Sequence, residues 1–223
     1  MANFDGIDYG LFYSDRMWER IIRAQVAEIK RLKGKAMLIG ECGHASRAAK
    51  EGMQSFIPAE DRVPVVSIHE VAYEGFRSGK LKLRPDAIEE RTTYHDPCNI
   101  SRKGWIVEQP RAILRHICND FVEMTPRGTE NYCCGGGGGS VSIDEIKDFR
   151  MFIGGKVKAD QIRATGAHYV VTPCANCKKQ VGELIEAHEI DCERLGLHDL
   201  MLKAIDLGPA PSPSKTEEGE EKE

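Results

Sequence analysis

The sequence has no apolar run near the roughly 20 residues that a helix needs to cross a bilayer. It has no surplus of basic charge either: 31 Lys and Arg stand against 35 Asp and Glu, a net −4, with a pI of about 6.0. Nucleic acid is held by clustered positive charge, so no nucleic-acid partner is expected. The opening residues, MANFDGIDYG, lack the basic and apolar regions of a secretory signal, so the expected location is the cytoplasm. With 223 residues, 41% hydrophobic, and a mean hydropathy of −0.41, the chain suits one or two compact domains.

What the sequence does have is cysteine, eight in all. In a reducing compartment these are thiols rather than a disulfide framework, which points to metal or redox chemistry. Cys98, Cys133, Cys134, Cys174 and Cys177 sit in motif-like settings, whereas Cys42, Cys118 and Cys192 stand alone.

Short apolar strands alternate with amphipathic helices along the chain. SDRMWERIIRAQVAEIKRLKG carries Met17, Ile21, Ile22, Val26, Ile29 and Leu32 at helical spacing and stops at Gly34. Strands are expected at KAMLIGEC, VPVVSI, RTTYHDPC, DFVEM and AHYVVTPC. Helices are expected at about 45–54, from His69 to about Ser78, in PRAILRHIC, in KKQVGELIEAH, and as one long element from Ile143 to Gly166. Such alternation implies crossover units around a parallel sheet.

A repeat organises the pattern. GKAMLIGEC aligns with GAHYVVTPC, and SIHEVAYEG with GLHDLMLKA, which sets His69 opposite His198. The expected fold is α/β, two pseudo-repeated units with small parallel sheets flanked by helices. The expected division is 1–85 as an incomplete first half, 86–207 as the second half with the site, and 208–223 as a disordered acidic tail rich in Pro, Ser, Glu and Lys.

In the second half each cysteine group follows a strand. The carboxyl ends of parallel strands share one edge, where open α/β folds form their sites, so five thiols are expected to converge on one crevice. Structural zinc and cubane clusters both take four ligands, which leaves one thiol over. A fifth thiolate on four irons would distort the cube and leave one iron unlike the others. A zinc site and a redox-active C-x-x-C pair remain alternatives on spacing alone. The run from Gly135 to Gly139 fits an anionic cofactor, because the amides of Gly135, Gly136 and Gly137 can form a nest of N–H donors. A helix beginning near Ser142 would add its positive end.

YHDPC, NYCCGGGGG and TPCANCK resemble the cysteine-rich CCG domain, found in heterodisulfide reductase and in iron–sulfur subunits of glycolate and lactate oxidation systems. IGECGHA, HDPCN, DFVEM, KADQIRATGA and PCANCKKQ extend the likeness, over about Phe4 to Leu207, to the K subunits of Dsr membrane complexes. The resemblance implies a non-cubane [4Fe–4S] cluster on Cys98, Cys133, Cys134, Cys174 and Cys177. It also implies electron exchange with a disulfide or trisulfide on a DsrC-like small sulfur carrier. The partners so implied are a ferredoxin-type donor and other subunits of a redox complex bound to the inner face of a membrane. Full K subunits carry C-x-x-C-x-x-C motifs for cubane clusters, and none occurs here, which leaves either a fragment or a short relative served by a separate ferredoxin.

Other residues admit bland readings beside functional ones. Cys42 occupies the place of Cys174 in the first repeat, but alanine replaces the second cysteine of the motif. Ala45 thus stands at the position equivalent to Cys177, CGHA in place of CANC; no second cluster is therefore expected, and Cys42 with His44 is either close to the crevice or a buried relic. Cys118 and Cys192 read as core thiols. His95 is either a donor to a cluster sulfur or a satisfied strand-end histidine. His69 and His198 read as helix-start residues, and Lys178 and Lys179 as a solvated helix face with an alternative role in steering a partner.

Overall fold

The computed structural model describes residues 7–208, so the acidic tail expected over 208–223 lies outside the described residues except for Gly208. The chain begins with α1 (Ile7–Tyr13) and α2 (Asp15–Arg31). Ser14 caps α2 by accepting from the Met17 amide at 3.3 Å, and Lys33 closes the helix at φ 53° just before Gly34. β1 (Met37–Ile39), α3 (Gly43–Phe56), β2 (Val65–Ser67) and α4 (Ile68–Arg77) follow. β1 and β2 pair in parallel, with Met37 opposite Val65. Trp18, Ile22 and Val26 of α2 bury their stripe against Met37 and against Ala48, Ala49 and Met53 of α3.

The second sheet contains β3 (Thr92–Tyr94), β4 (Phe121–Glu123), β5 (Tyr169–Val171) and β6 (Glu193–Leu195). Its order is β4-β3-β5-β6 and every pairing is parallel. The connections hold α5 (Cys98–Ser101), α6 (Glu108–Ile117), α7 (Lys147–Phe149), α8 (Lys156–Thr165), α9 (Ala175–Ala187) and finally α10 (Leu197–Ala204). Ala72 of α4 shares a core with Ile113, Leu114 and Ile117 of α6 and Leu200 and Met201 of α10, so apolar burial joins the two sheets' surroundings. No described helix is long and apolar enough to cross a membrane.

The repeat is visible in the elements. β1 and α3 correspond to β5 and α9, and β2 and α4 to β6 and α10. Cys42 and Cys174 are the N-caps of corresponding helices.

One expectation fails. The single helix expected from Ile143 to Gly166 is broken: Ser140–Ser142 and Asp144–Ile146 are 3-10 turns, Ile143 is extended, and α-helix starts only at Lys147. Arg150–Gly154 then widens into a π-turn before α8. Gly154 and Gly155 explain the break, since glycine is a poor helix residue and a Cβ on Gly155 would lie 2.6 Å from the Arg150 carbonyl. The positive helix end expected near Ser142 is therefore absent. Pro110 lies two residues inside α6 rather than at its start.

Candidate metal centre

β3 lies between β4 and β5, so the chain leaves three neighbouring strands at the same edge. From β3 it passes through His95–Pro97 into Cys98, the first residue of α5. From β4 it runs through a long loop to Cys133 and Cys134. From β5 it reaches Cys174, with Cys177 in the first turn of α9.

The five sulfurs form an unbroken series of contacts. Cys98 and Cys133 interact through their thiols, as do Cys133 and Cys134. Cys134 Sγ lies 3.3 Å from Cys177 Sγ, and Cys177 in turn contacts Cys174. Cys134, Cys174 and Cys177 are buried, Cys98 is half-buried, and Cys133 is exposed at the mouth. None of the five clustered cysteines is in a disulfide, Cys133 and Cys134 included. Ile100, Ile106, Met124, Ile162, Val170 and Val181 wall the pocket and keep it dry.

The thiols cannot all ionise in that setting. Hydrogen bonds from Cys134 and Cys98 hold Cys133 far below the usual thiol range, and those from Cys177 and then His44 do the same for Cys174. The contact with Cys133 pushes Cys134 up to about 12 and raises Cys98 as well, and contacts with Cys134 and Cys174 raise Cys177. Five thiolates packed together need positive charge among them, which metal ions supply by deprotonating coordinating thiols outright.

Other donors face the same sulfurs. The Gly135 amide points at Cys133 Sγ from 3.4 Å, and the Gly136 amide bonds to Cys134. Gly137 instead uses its carbonyl, accepting from the Ser140 amide at 3.1 Å. Gly135 takes φ +87° at the start of this loop, a conformation that favours glycine. His95 is fully buried, and neither ring nitrogen has a hydrogen-bond partner; its ring lies with Cys134 and Cys177, ligand atoms of all three within 4.8 Å of one another. Burial holds this imidazole well below its usual range, hence neutral. An orphaned buried imidazole beside thiols fits a pocket whose sulfurs take hydrogen bonds when they carry charge.

The first half contributes too. The Gly43 amide reaches Cys174 Sγ at 3.5 Å, and the Ala175 amide donates to the Glu41 carbonyl at 2.8 Å. His44 accepts from Asn176 Nδ2 on Nδ1 at 3.2 Å, which leaves its ring N–H for Cys174. Cys42 is turned to capping α3, its sulfur accepting from the Ala45 amide at 3.4 Å. Lys178 is half-buried and pairs with Glu41 at 2.8 Å and Asp199 at 3.1 Å, whereas Lys179 is exposed and donates to the Val141 carbonyl at 2.9 Å.

Sequence reasoning missed the groups that brace the pocket. Arg111 and Lys158 are fully buried charges on helices, positions that usually point to solvent. Lys158 Nζ donates to Asn131 Oδ1 at 2.6 Å and also to Gln161, and burial lowers its ammonium to about 8.

Residues 92–182 match the cysteine-rich domain family called CCG. Over 97% of its length the chain is 28% identical to Hdr-like menaquinol oxidoreductase iron–sulfur subunit 2 of Archaeoglobus fulgidus, covering 48% of that protein. It is 27% identical, over 89% of its length, to one of the subunits of the dihydromethanophenazine:CoB–CoM heterodisulfide reductase of Methanosarcina mazei, covering 47% of it. Over 49% of its length it is 37% identical to one of the subunits of the fumarate reductase (CoM/CoB) of Methanothermobacter marburgensis, covering 21% of that protein. The chain thus spans about half the length of the first two relatives and less of the third. The convergent thiols lie within the matched segment, so the chain carries a CCG cysteine-rich domain there and is similar over most of its length to Hdr-like iron–sulfur subunits.

Proposed function

We propose that Cys98, Cys133, Cys134, Cys174 and Cys177 together hold one [4Fe–4S] cluster of the non-cubane type, in an iron–sulfur oxidoreductase subunit that exchanges electrons with a sulfur–sulfur bond. The observation that carries this reading is the unbroken series of five sulfur contacts in a dry pocket. Four thiolates satisfy zinc or a cubane, and the fifth donor favours a distorted cluster. When bound, such a cluster would supply one-electron transfer and one iron unlike the rest, to which a substrate sulfur can bind.

This chain's residues do the remaining work. The amides of Gly135, Gly136 and Gly43, with the His44 ring, present N–H groups to the sulfurs, and such donors raise a cluster's reduction potential; the unpartnered His95 ring would add another to a loaded site. The apolar wall excludes water, and exposed Cys133 marks the side from which substrate approaches. Following the resemblance to K subunits, the substrate is a disulfide or trisulfide on a DsrC-like carrier. Electrons come from a ferredoxin-type donor or neighbouring subunits at the inner face of a membrane. The names of the relatives, a menaquinol oxidoreductase and a heterodisulfide reductase, support this class of reaction. In the same proposal residues 1–85 and 86–207 are the two pseudo-repeated halves.

Anaerobic iron and acid-labile sulfide analysis with EPR tests the reading. We expect about four of each per chain, loss or alteration of the signal in Cys134→Ser, and an unchanged signal in Cys118→Ser. Stoichiometric zinc in place of iron, or an unaltered signal in Cys134→Ser, would overturn it. A cluster whose EPR signal does not respond to a disulfide substrate after oxidation would make the chain a relay rather than a catalyst.

A further inference from the structure

A second group of ligating side chains lies outside the five-cysteine pocket, where the two halves meet. Glu41 follows β1, His69 is the second residue of α4, and His198 is the second residue of α10. The two histidines are the repeat-related pair, and their rings stand 5.6 Å apart and 31° from parallel. Ser67 and Glu70 form a capping box at the start of α4, in which the His69 amide donates to Ser67 Oγ, and this fixes the entry of the His69 ring.

The hydrogen bonds of each ring decide where its lone pair lies. His69 Nε2 is 3.2 Å from the Pro173 carbonyl, which can only accept, so this nitrogen carries the proton and Nδ1 keeps the lone pair. His198 Nδ1 is 2.7 Å from Glu41 Oε1 and so carries a proton, which in the neutral ring leaves the lone pair on Nε2. His69 Nδ1 and His198 Nε2 are both buried and neither has a partner. Each imidazole thus spends its N–H on an oxygen and keeps an unspent nitrogen, the condition in which histidine binds metal. Leaving two such atoms dry and unmatched is costly, and their pairing in one place calls for something that accepts both lone pairs.

The third member supplies charge. Burial works to raise the Glu41 carboxyl, but hydrogen bonds from His198 and Lys178 outweigh it and hold the group down at about 2. Burial keeps His69 neutral, at about 4. One ligand atom from each of the three side chains lies within 4.8 Å of the other two. Ligand atoms on a tetrahedral zinc ion are about 3.3 Å apart, so a bound ion would draw the three closer and turn a Glu41 oxygen from its bonds to His198 and Lys178 onto the metal. His198 also borders an apolar cavity of about 420 Å³ walled by Ile68, Val71 and Leu202.

We propose that Glu41, His69 and His198 form a second metal site, for a divalent ion of the zinc class, with its remaining coordination positions open to water. Two imidazoles and a carboxylate are a donor set for such ions and lack the thiolates that select iron–sulfur clusters. The site is distinct from the cysteine pocket but abuts it, because Pro173 precedes Cys174 and Lys178 follows Cys177.

The test is anaerobic equilibrium dialysis of the full, cluster-loaded chain against Zn²⁺, followed by zinc-edge X-ray absorption. The expected result is one zinc per chain with a first shell of nitrogen and oxygen and the scattering pattern of imidazole. His198→Gln and His69→Gln should each weaken binding by about tenfold to a hundredfold, with iron content unchanged as the check on folding. Sulfur in the zinc shell, zinc affinity unchanged in both variants, or no stoichiometric uptake by the unmodified chain would each overturn the proposal.

Discussion

Arg111 and Asp96 face each other through two parallel N–H···O bonds of 2.8 and 2.6 Å, with neither side chain reaching solvent. Arg111 also donates to Glu123 at 2.8 and 3.1 Å and lies 5.0 Å from the centre of the Tyr94 ring. Asp96 accepts from the Gly128 amide at 2.7 Å, and its carbonyl accepts from Asn131, whose own oxygen accepts from Lys158. Asp96 therefore ties the turn that presents Cys98 to the loop that presents Cys133 and Cys134, and its ion pair with Arg111 anchors both to α6.

Asp96→Asn tests that tie. A buried ion pair adds little net stability, but removing one partner leaves the other charge dry and uncompensated, at about 3–5 kcal/mol. Glu123 still faces Arg111, so the expected loss is at the lower end, about 3 kcal/mol, or roughly 6–12 °C in Tm for a chain of this size. Thermal unfolding and iron content of the purified chain check it, and both should fall. A loss below about 1 kcal/mol would assign the guanidinium to Glu123 alone.

The five glycines are not equivalent. A Cβ on Gly136 would lie 2.7 Å from Gln180 Cβ and 2.9 Å from Val141 Cγ1, so Gly136→Ala should cost about 1–3 kcal/mol by overpacking. At Gly137 the nearest atom would be His44 Nε2 at 3.5 Å, an ordinary contact, and Gly137→Ala should be nearly neutral. Gly138 has open space but φ +62°, so alanine there should cost about 1 kcal/mol through backbone strain alone. Denaturant titrations of the three variants should give the order Gly136, Gly138, Gly137. A neutral Gly136→Ala would mean that the loop is less tightly seated on α9.

His44 offers a measure of what the first half contributes to the site. Its N–H toward Cys174 stabilises negative charge on that sulfur, and His44→Leu removes it while filling similar space. A hydrogen bond to a charged group is worth about 1.5–3 kcal/mol. A part of that, differing between oxidation states, should lower the cluster's midpoint potential by roughly 30–60 mV. A redox titration followed by EPR reads the shift, and an unchanged potential would reduce His44 to packing.

The alternation of elements was legible because strands of a parallel sheet are short continuous apolar runs, fully buried in YVV and only partly in MLI, where Leu38 is exposed, separated by capped helices. The repeat placed equivalent helix starts at His69 and His198, and the shared edge of parallel strands brought the five cysteines into one place. β6 escaped notice because Glu193 and Arg194 are exposed on an edge strand and give no apolar signal. The bracing by Arg111, Asp96 and Lys158 was hidden for a different reason. Each partner sits on a separate element, and periodicity along one helix carries no record of a charge that is matched across the sheet. His44 and Gly43 reach Cys174 across 130 or more positions, by a contact between halves that spacing within either half does not encode.

Cys118 and Cys192 separate structural thiols from clustered ones by their pH response. Burial pushes both up to about 11. The thiolate is the reacting form, so at pH 8 each should be alkylated about a hundredfold more slowly than an ordinary thiol. A raised pKa moves the rise upward: labelling of half-buried Cys192 by iodoacetamide should increase about tenfold per pH unit up to about pH 11, whereas an ordinary thiol levels off near pH 9. Cys118, 3% exposed, should react only as the fold opens. Mass spectrometry of anaerobic, iron-loaded protein across this range checks the profile, with the five clustered cysteines unlabelled while iron is retained. A plateau for Cys192 near pH 9 would show that its sulfur is more open to water than its packing against Val170 and the pocket wall implies.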